Sequence, residues 1–247
     1  MIRQSIPNTV TILNLLSGSL AIIFVFQGNL ALASWLIGLA ALFDFLDGLL
    51  ARLLNAMSPI GKELDSLADV ISFGLAPGII VFHLMQHSYN PPFLYWMDIN
   101  VWTFVALLLP AFSALRLAVF NIDTRQSDAF IGLPTPANAL FFAAFPLVIL
   151  QAGQSGYQGI LELLRNYWFL AGVTVVFSLL LVSPLRLFSL KFKNYSLRQN
   201  LLRYNFLIIS IAAFLLLKFF ALPLIVVLYI LLSVAIPEKR ETKKDKS

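Results

Sequence analysis

Asp44-Phe45-Leu46-Asp47-Gly48-Leu49-Leu50-Ala51-Arg52, then after eight residues Gly61-Lys62-Glu63-Leu64-Asp65-Ser66-Leu67-Ala68-Asp69, is the stretch on which the reading of this chain turns. A polypeptide of 247 residues that is 60% hydrophobic and 12% charged has gathered four aspartates in an apolar setting. On an α-helix, Asp44 and Asp47 (i, i+3) share one face, as do Asp65 and Asp69 (i, i+4). Two such helices facing each other bring four carboxylates into one small volume. At the centre of a bilayer each Asp costs roughly 2.5–3.5 kcal/mol, so four cost on the order of 10 kcal/mol, less at shallower depth. Divalent cations are the obvious offset.

Working outward, a mean hydropathy of +0.87 and 22 Phe are too apolar for an ordinary soluble domain. The chain reads as an all-α, polytopic membrane bundle over residues 1–236 with a charged tail over 237–247. A window near 20 residues predicts eight spans, at approximately 10–27, 30–53, 64–86, 99–120, 135–152, 167–187, 204–218 and 220–236. The last two are short enough to form a re-entrant hairpin. The first run contains Asn14, Ser17, Gly18 and Ser19 and leads into Gln27-Gly28-Asn29 rather than a cleavage site, so it is expected to stay in the membrane. The absence of cysteine excludes disulfides, thiol catalysis and Cys-ligated metals.

The net charge of +5 is unevenly spread. With both termini cytosolic, all 17 Lys and Arg except Arg165 and Lys218 fall on the cytosolic side, a strong orientation signal. The tail then reads as a topology signal resting on anionic lipid rather than as a nucleic-acid binder. This orientation puts Arg52 at the cytosolic end of the second span, with Asp44 about 12 Å deeper. Asp65 and Asp69 enter the third span from the same side. The expected product is a shallow, water-accessible acidic pocket.

Carboxylates without His or Cys make an all-oxygen site suited to Mg²⁺, Mn²⁺ or Ca²⁺. Two such metals fit phosphoryl transfer. Gly48, Ala51 and Gly61 lack bulk, which admits a phosphate-bearing ligand or serves helix packing. Arg52 is either a phosphate clamp or an interfacial anchor. Asn8, Thr11 and Asn14 recur on one helical face, where they hydrogen-bond a nucleotide or hold helices together. His83 and His87 are far from the cluster in sequence and read as interfacial packing. The acids also admit a cation path in a transporter, or structural pairing with Arg52 and Lys62.

The pattern Asp44-x2-Asp47-Gly48-x2-Ala51-Arg52-x8-Gly61-x3-Asp65-x3-Asp69 resembles the complete signature of the CDP-alcohol phosphatidyltransferases. The resemblance implies a membrane homodimer that moves a substituted phosphate from a CDP-linked donor to an alcohol and releases CMP. It implies a two-metal site, Mg²⁺ or Mn²⁺, with Asp44, Asp47 and Asp65 as ligands and Asp69 as both ligand and general base. Gly48, Ala51, Arg52 and Gly61, with Asn8 and Thr11, would bind the CDP moiety.

Ser66-Leu67-Ala68-Asp69-Val70-Ile71-Ser72-Phe73-Gly74-Leu75-Ala76-Pro77 is similar to members of that family whose acceptor is serine. So are the segments Ile6 to Asn14, Gly132 to Ala137, Leu115 to Asn121 and Ser189 to Lys193. Relatives with phosphorylated acceptors tend to carry Pro at the position of Ser66 and a cation at that of Val70. A neutral Val70 suits an acceptor with no phosphate to neutralise. The implied reaction converts CDP-diacylglycerol and L-serine to phosphatidylserine and CMP in the cytoplasmic membrane. Choline, glycerol 3-phosphate or inositol are alternative acceptors, and a cation-coupled transporter is the alternative of a different class. Arg116 and Asn121 are expected at the serine carboxylate, against ordinary interfacial anchoring. Val119 stands where the family leads one to expect a second basic residue. No nucleic acid beyond the nucleotide moiety is expected as a partner.

Overall fold

The computed structural model describes residues 2–122, 130–187 and 200–235. Arg125, Lys191, Lys193, Arg198, the segment Ser189 to Lys193 and the tail over 237–247 therefore lie outside the described residues. Helices α1 (Ile2–Phe26) and α2 (Leu30–Leu53) form an antiparallel pair. The reversal needs the left-handed φ of 77° at Gly28. Asn29 then caps α2 by accepting the Leu32 N–H at 3.1 Å. At the other end of α2, Ser58 caps α3 (Pro59–Asp69) by accepting the Gly61 N–H at 3.0 Å, with Pro59 opening the helix. Asp44 and Asp47 thus lie near the end of one helix, and Asp65 and Asp69 near the start of the next.

The third span is not uniform. After α3 the chain makes a π-helical turn (Val70–Leu75) before α4 (Ala76–Gln86). Pro77 supplies no N–H, and its ring crowds the carbonyl four residues back. The wider turn accommodates it: the Ala76 N–H bonds the Ile71 carbonyl, five residues away. The widening falls directly after Asp69, and π-turns inside helices frequently mark functional sites.

A two-stranded hairpin follows, β1 (Tyr95–Trp96) with β2 (Ile99–Asn100), and a 3₁₀ turn (Val101–Leu107) leads into α5 (Leu108–Ile122). Strand β3 (Phe130–Ile131) precedes α6 (Thr135–Ser155), α7 (Gln158–Leu164) and α8 (Tyr167–Val182). Strand β4 (Arg186–Leu187) pairs back on β3. Helices α9 (Leu201–Leu217) and α10 (Ala221–Ala235) complete the described chain. Helix α6 is central and buried along most of its length. Its Phe141 stacks on Phe177 of α8 with centroids 3.9 Å apart, and Phe142 and Phe145 meet edge-on around it. Offset and edge-on ring pairs add to what their buried area contributes.

Among the described residues, six stretches are long and apolar enough to cross a membrane: Ser5–Phe26, Leu30–Leu53, Pro59–Gln86, Val101–Ile122, Thr135–Ser155 and Leu201–Ala235. Eight spans were expected, and the difference has two sources. Helix α8 has 16 residues, about 24 Å at 1.5 Å per residue, against a hydrocarbon core of about 30 Å. The final stretch reverses at Lys218, whose φ is 53°. The Phe206 and Tyr229 rings, far apart in sequence, come within 5.9 Å. Helices α9 and α10 are therefore the arms of a hairpin.

Candidate active and metal site

Helix α1 lies against both aspartate-bearing helices, with α2 along its length and α3 near its start. This brings Asp44, Asp47 and Asp65 together: each offers a carboxylate oxygen, and the three oxygens lie within 4.8 Å of one another. Asp69 is one turn further along α3 and buried, with 6% of its surface exposed, as is Asp47. Like charges at this spacing in a low-dielectric interior repel strongly. Arg52 and Lys62 do not answer them. The Arg52 Nε donates to the Gly48 carbonyl at 2.8 Å, and the Lys62 Nζ donates to the Asn121 carbonyl at 2.9 Å. The structural pairing weighed from sequence is thus not formed among the described residues.

The donor set itself shows what fits. It is all oxygen, it carries excess negative charge, and Asp65 Oδ1 is buried with no hydrogen-bond partner among the described residues. A hard divalent cation satisfies all three conditions. Asp44, Asp47 and Asp65 are the residues that would hold it, with Asp69 alongside.

The neighbours of the acids on α1 fix their orientation. Thr11, buried, donates its single hydroxyl proton to Asp47 Oδ2 at 2.6 Å. Asn14, fully buried, donates from Nδ2 to Asp69 Oδ1 at 3.2 Å, and its backbone carbonyl accepts from the Ser72 hydroxyl at 3.0 Å. Gly18, one turn on, permits this approach: a Cβ there would sit 2.6 Å from Ser72 Cα. Of the two roles open to the Asn8-Thr11-Asn14 face, Thr11 and Asn14 take the one that holds helices and carboxylates in place.

The small residues separate into two kinds. At Gly48 an added Cβ would meet nothing closer than the Arg52 Nη2 at 3.9 Å, so this glycine opens space beside Asp47 rather than packing a helix. At Gly61 a Cβ would lie 3.1 Å from Asn8 Oδ1, so this one brings α3 close to α1. Ala51 is half-buried and Arg52 exposed on the same helix end, one turn beyond Asp47 and Gly48.

On the other flank of Asp69 is α5. Arg116 is buried, its Nε has no hydrogen-bond partner among the described residues, and its guanidinium lies 6.0 Å from the centroid of the Phe120 ring. Helix α5 packs against the π-turn directly after Asp69. Asn121 ties α5 to α3, with its Nδ2 donating to the Ser66 hydroxyl at 2.8 Å. Sequence reasoning missed Ser113, Asn138 and Ser178. All three are fully buried with side-chain atoms that have no partner among the described residues, both amide atoms of Asn138 included. The legible signal was a polar side chain in an apolar run, since buried polar groups without partners mark room for water or ligand.

Residues 4–180 match the family model described as CDP-alcohol phosphatidyltransferase. Among curated proteins, the chain is similar to the CDP-diacylglycerol–serine O-phosphatidyltransferase of Helicobacter pylori strain J99. The two are 33% identical over 203 residues, covering 81% of this chain and 79% of that protein. The protein of the same name from Mycobacterium leprae is 33% identical over 187 residues, 73% of this chain and 57% of that protein. That from Bacillus subtilis is 38% identical over 145 residues, 59% of this chain and 74% of that protein.

Proposed function

The chain belongs to the CDP-alcohol phosphatidyltransferase family, and from that premise we propose that it transfers a phosphatidyl group from CDP-diacylglycerol to L-serine, releasing CMP. What carries the reading is the convergence of Asp44, Asp47 and Asp65 in a chain whose relatives are named for that reaction. The diphosphate of the donor enters over Gly48, where the helix surface is bare. Arg52 keeps its terminal guanidinium nitrogens for a phosphate oxygen, as its Nε is taken by Gly48. Asn8, Ala51 and Gly61 line the nucleotide, and Thr11 acts on it through Asp47.

Bound Mg²⁺ or Mn²⁺, as a two-metal site, would neutralise the diphosphate and polarise the reacting phosphorus. The serine hydroxyl attacks the phosphorus that carries the diacylglycerol. Asp69 takes the hydroxyl proton, held in orientation by Asn14. The bond from that phosphorus to the bridging oxygen breaks, and the oxygen leaves with CMP. Arg116, the buried cation next to the reacting carboxylates, binds the serine carboxylate, and Asn121 with Ser66 shapes the acceptor side. Val70, neutral, offers no counter-charge to a phosphorylated acceptor.

The enzyme acts as a homodimer in the cytoplasmic membrane, both termini cytosolic. The lipid tails stay in the bilayer while the diphosphate meets the acids near headgroup level. The test is CMP release from CDP-diacylglycerol by purified protein with Mn²⁺ or Mg²⁺, offering serine, choline, glycerol 3-phosphate and inositol separately. Release with serine alone, abolished by chelation, is expected. Release with a different alcohol would overturn the acceptor and leave the site chemistry standing.

A further inference from the structure

The end of the bundle away from the aspartates holds a second cavity, of about 500 Å³. It lies between the α1–α2 turn, the end of α4 and the later turns of α6. From Asp69 to His83 the chain runs about 14 residues, or roughly 21 Å of helix, so this cavity is separate from the site above. Its wall is apolar at Leu84, Pro146 and Ile149, and its rim carries His83, His87 and Arg165. No Asp or Glu is among the described residues that line it.

The rim is built, not incidental. The Tyr89 N–H bonds the Arg165 carbonyl at 2.7 Å, and the Tyr167 N–H bonds the Tyr89 carbonyl at 3.3 Å, fixing the backbone that carries the guanidinium. Among the described residues the guanidinium itself has only a long contact, 3.5 Å from its Nη1 to the Tyr89 hydroxyl. The two imidazoles stack with centroids 4.4 Å apart, and His87 Nδ1 lies 2.9 Å from the His83 carbonyl oxygen. A permanent cation, two imidazoles and no acid favour an anion. An apolar wall beneath them favours an anion attached to hydrocarbon.

We propose that this cavity binds the phosphate of a phospholipid headgroup, with Arg165 as the main contact and His83 and His87 beside it. A free phosphate shares the anionic chemistry but has no use for the apolar wall. The proposal does not rest on the transferase reading.

The experiment titrates purified full-length protein in a neutral detergent with phosphatidylglycerol, diacylglycerol or inorganic phosphate, following thermal stability and lipid retention by native mass spectrometry. Phosphatidylglycerol is expected to stabilise the protein, with apparent affinity about tenfold weaker in Arg165→Gln, the worth of one charge-assisted hydrogen bond. His87→Gln is the second variant and is expected to shift in the same direction. The response should persist in Asp44→Ala, which separates it from lipid bound at the aspartates. Serine-dependent CMP release should be unchanged in Arg165→Gln.

An Arg165-dependent response to phosphatidylglycerol alone assigns the headgroup; an equal one to inorganic phosphate overturns the lipid and leaves an anion site. Equal stabilisation by diacylglycerol, wild-type titration of both variants, or loss of the response in Asp44→Ala would overturn the proposal. So would a response to Zn²⁺ without one to phosphate.

Discussion

Asn14 on α1 and Gln151 on α6 are both side-chain amides in an apolar setting, and they serve different partners at opposite ends of the bundle. Asn14 gives its N–H to a carboxylate, Asp69, and its backbone carbonyl to Ser72. Gln151 gives both amide atoms to main chain: Nε2 donates to the Leu217 carbonyl at 3.1 Å, and Oε1 accepts the Phe219 N–H at 2.9 Å. One amide orients a charge that the proposed reaction needs. The other closes a backbone that the Lys218 reversal has opened. Apolar surroundings make an unpaired polar group costly in both places, but only the first place serves the proposed chemistry.

The hardest blow to this comparison is struck at the acid end. Asp69→Asn removes the proposed base and keeps the shape. It is expected to lower CMP release by about 10²–10⁴-fold, the usual worth of general acid–base catalysis. Binding of CDP-diacylglycerol to the purified variant should survive, and loss of binding with turnover would make Asp69 a binding residue instead. Asn14→Leu comes next. It leaves every aspartate in place and removes the group that orients Asp69. Partners of this kind cost about 10–100-fold in metal affinity or activity when lost, so a Mn²⁺ titration of turnover should show the loss in an otherwise folded protein.

How much of this was legible in the sequence follows from where the information sits. Asp44, Asp47, Asp65 and Asp69 were readable because charge in an apolar run is rare and helical spacing fixes which side chains share a face. The gap between the two pairs was readable as a turn, and Ser58-Pro59 marks the start of α3 in its residue types. The partner of each acid was not readable. That Thr11 goes to Asp47 and Asn14 to Asp69 depends on the rotation of α1 against α2 and α3, set by the close approach at Gly18 and Ser72. The π-turn was hidden for a related reason. Pro77 announces a disturbed helix, but whether it kinks, ends or widens is decided by packing. The count of eight spans is not confirmed where length is marginal, at α8 and at the α9–α10 arms, although the break at Lys218 and the hairpin it makes were legible in the sequence.

A smaller effect is expected at the acceptor flank. Asn121 and Ser66 join α5 to α3 through a single side-chain hydrogen bond of 2.8 Å. Asn121→Ala should cost about 1 kcal/mol or less of local order and raise the KM for serine by several-fold, with kcat little changed. A drop in kcat at constant KM would place Asn121 with the transition state rather than with acceptor binding.

The least effect on turnover is expected from Gln151→Leu, and it tests the other half of the comparison. The substitution conserves bulk and deletes the acceptor for Phe219 and the donor for Leu217. Two backbone groups at the reversal are left for lipid or a neighbouring turn to satisfy, at a cost of about 1–3 kcal/mol each if buried. Thermal stability in detergent should fall, while CMP release per folded molecule should stay within about twofold of the parent, a difference of under half a kcal/mol. Should turnover fall as far as it does in Asn14→Leu, the α9–α10 hairpin would be coupled to the aspartates. The route would run through α6, against which α10 packs. A stable fold with the hairpin loosened and turnover intact would mean instead that the catalytic end needs only α1 to α8 to hold its shape.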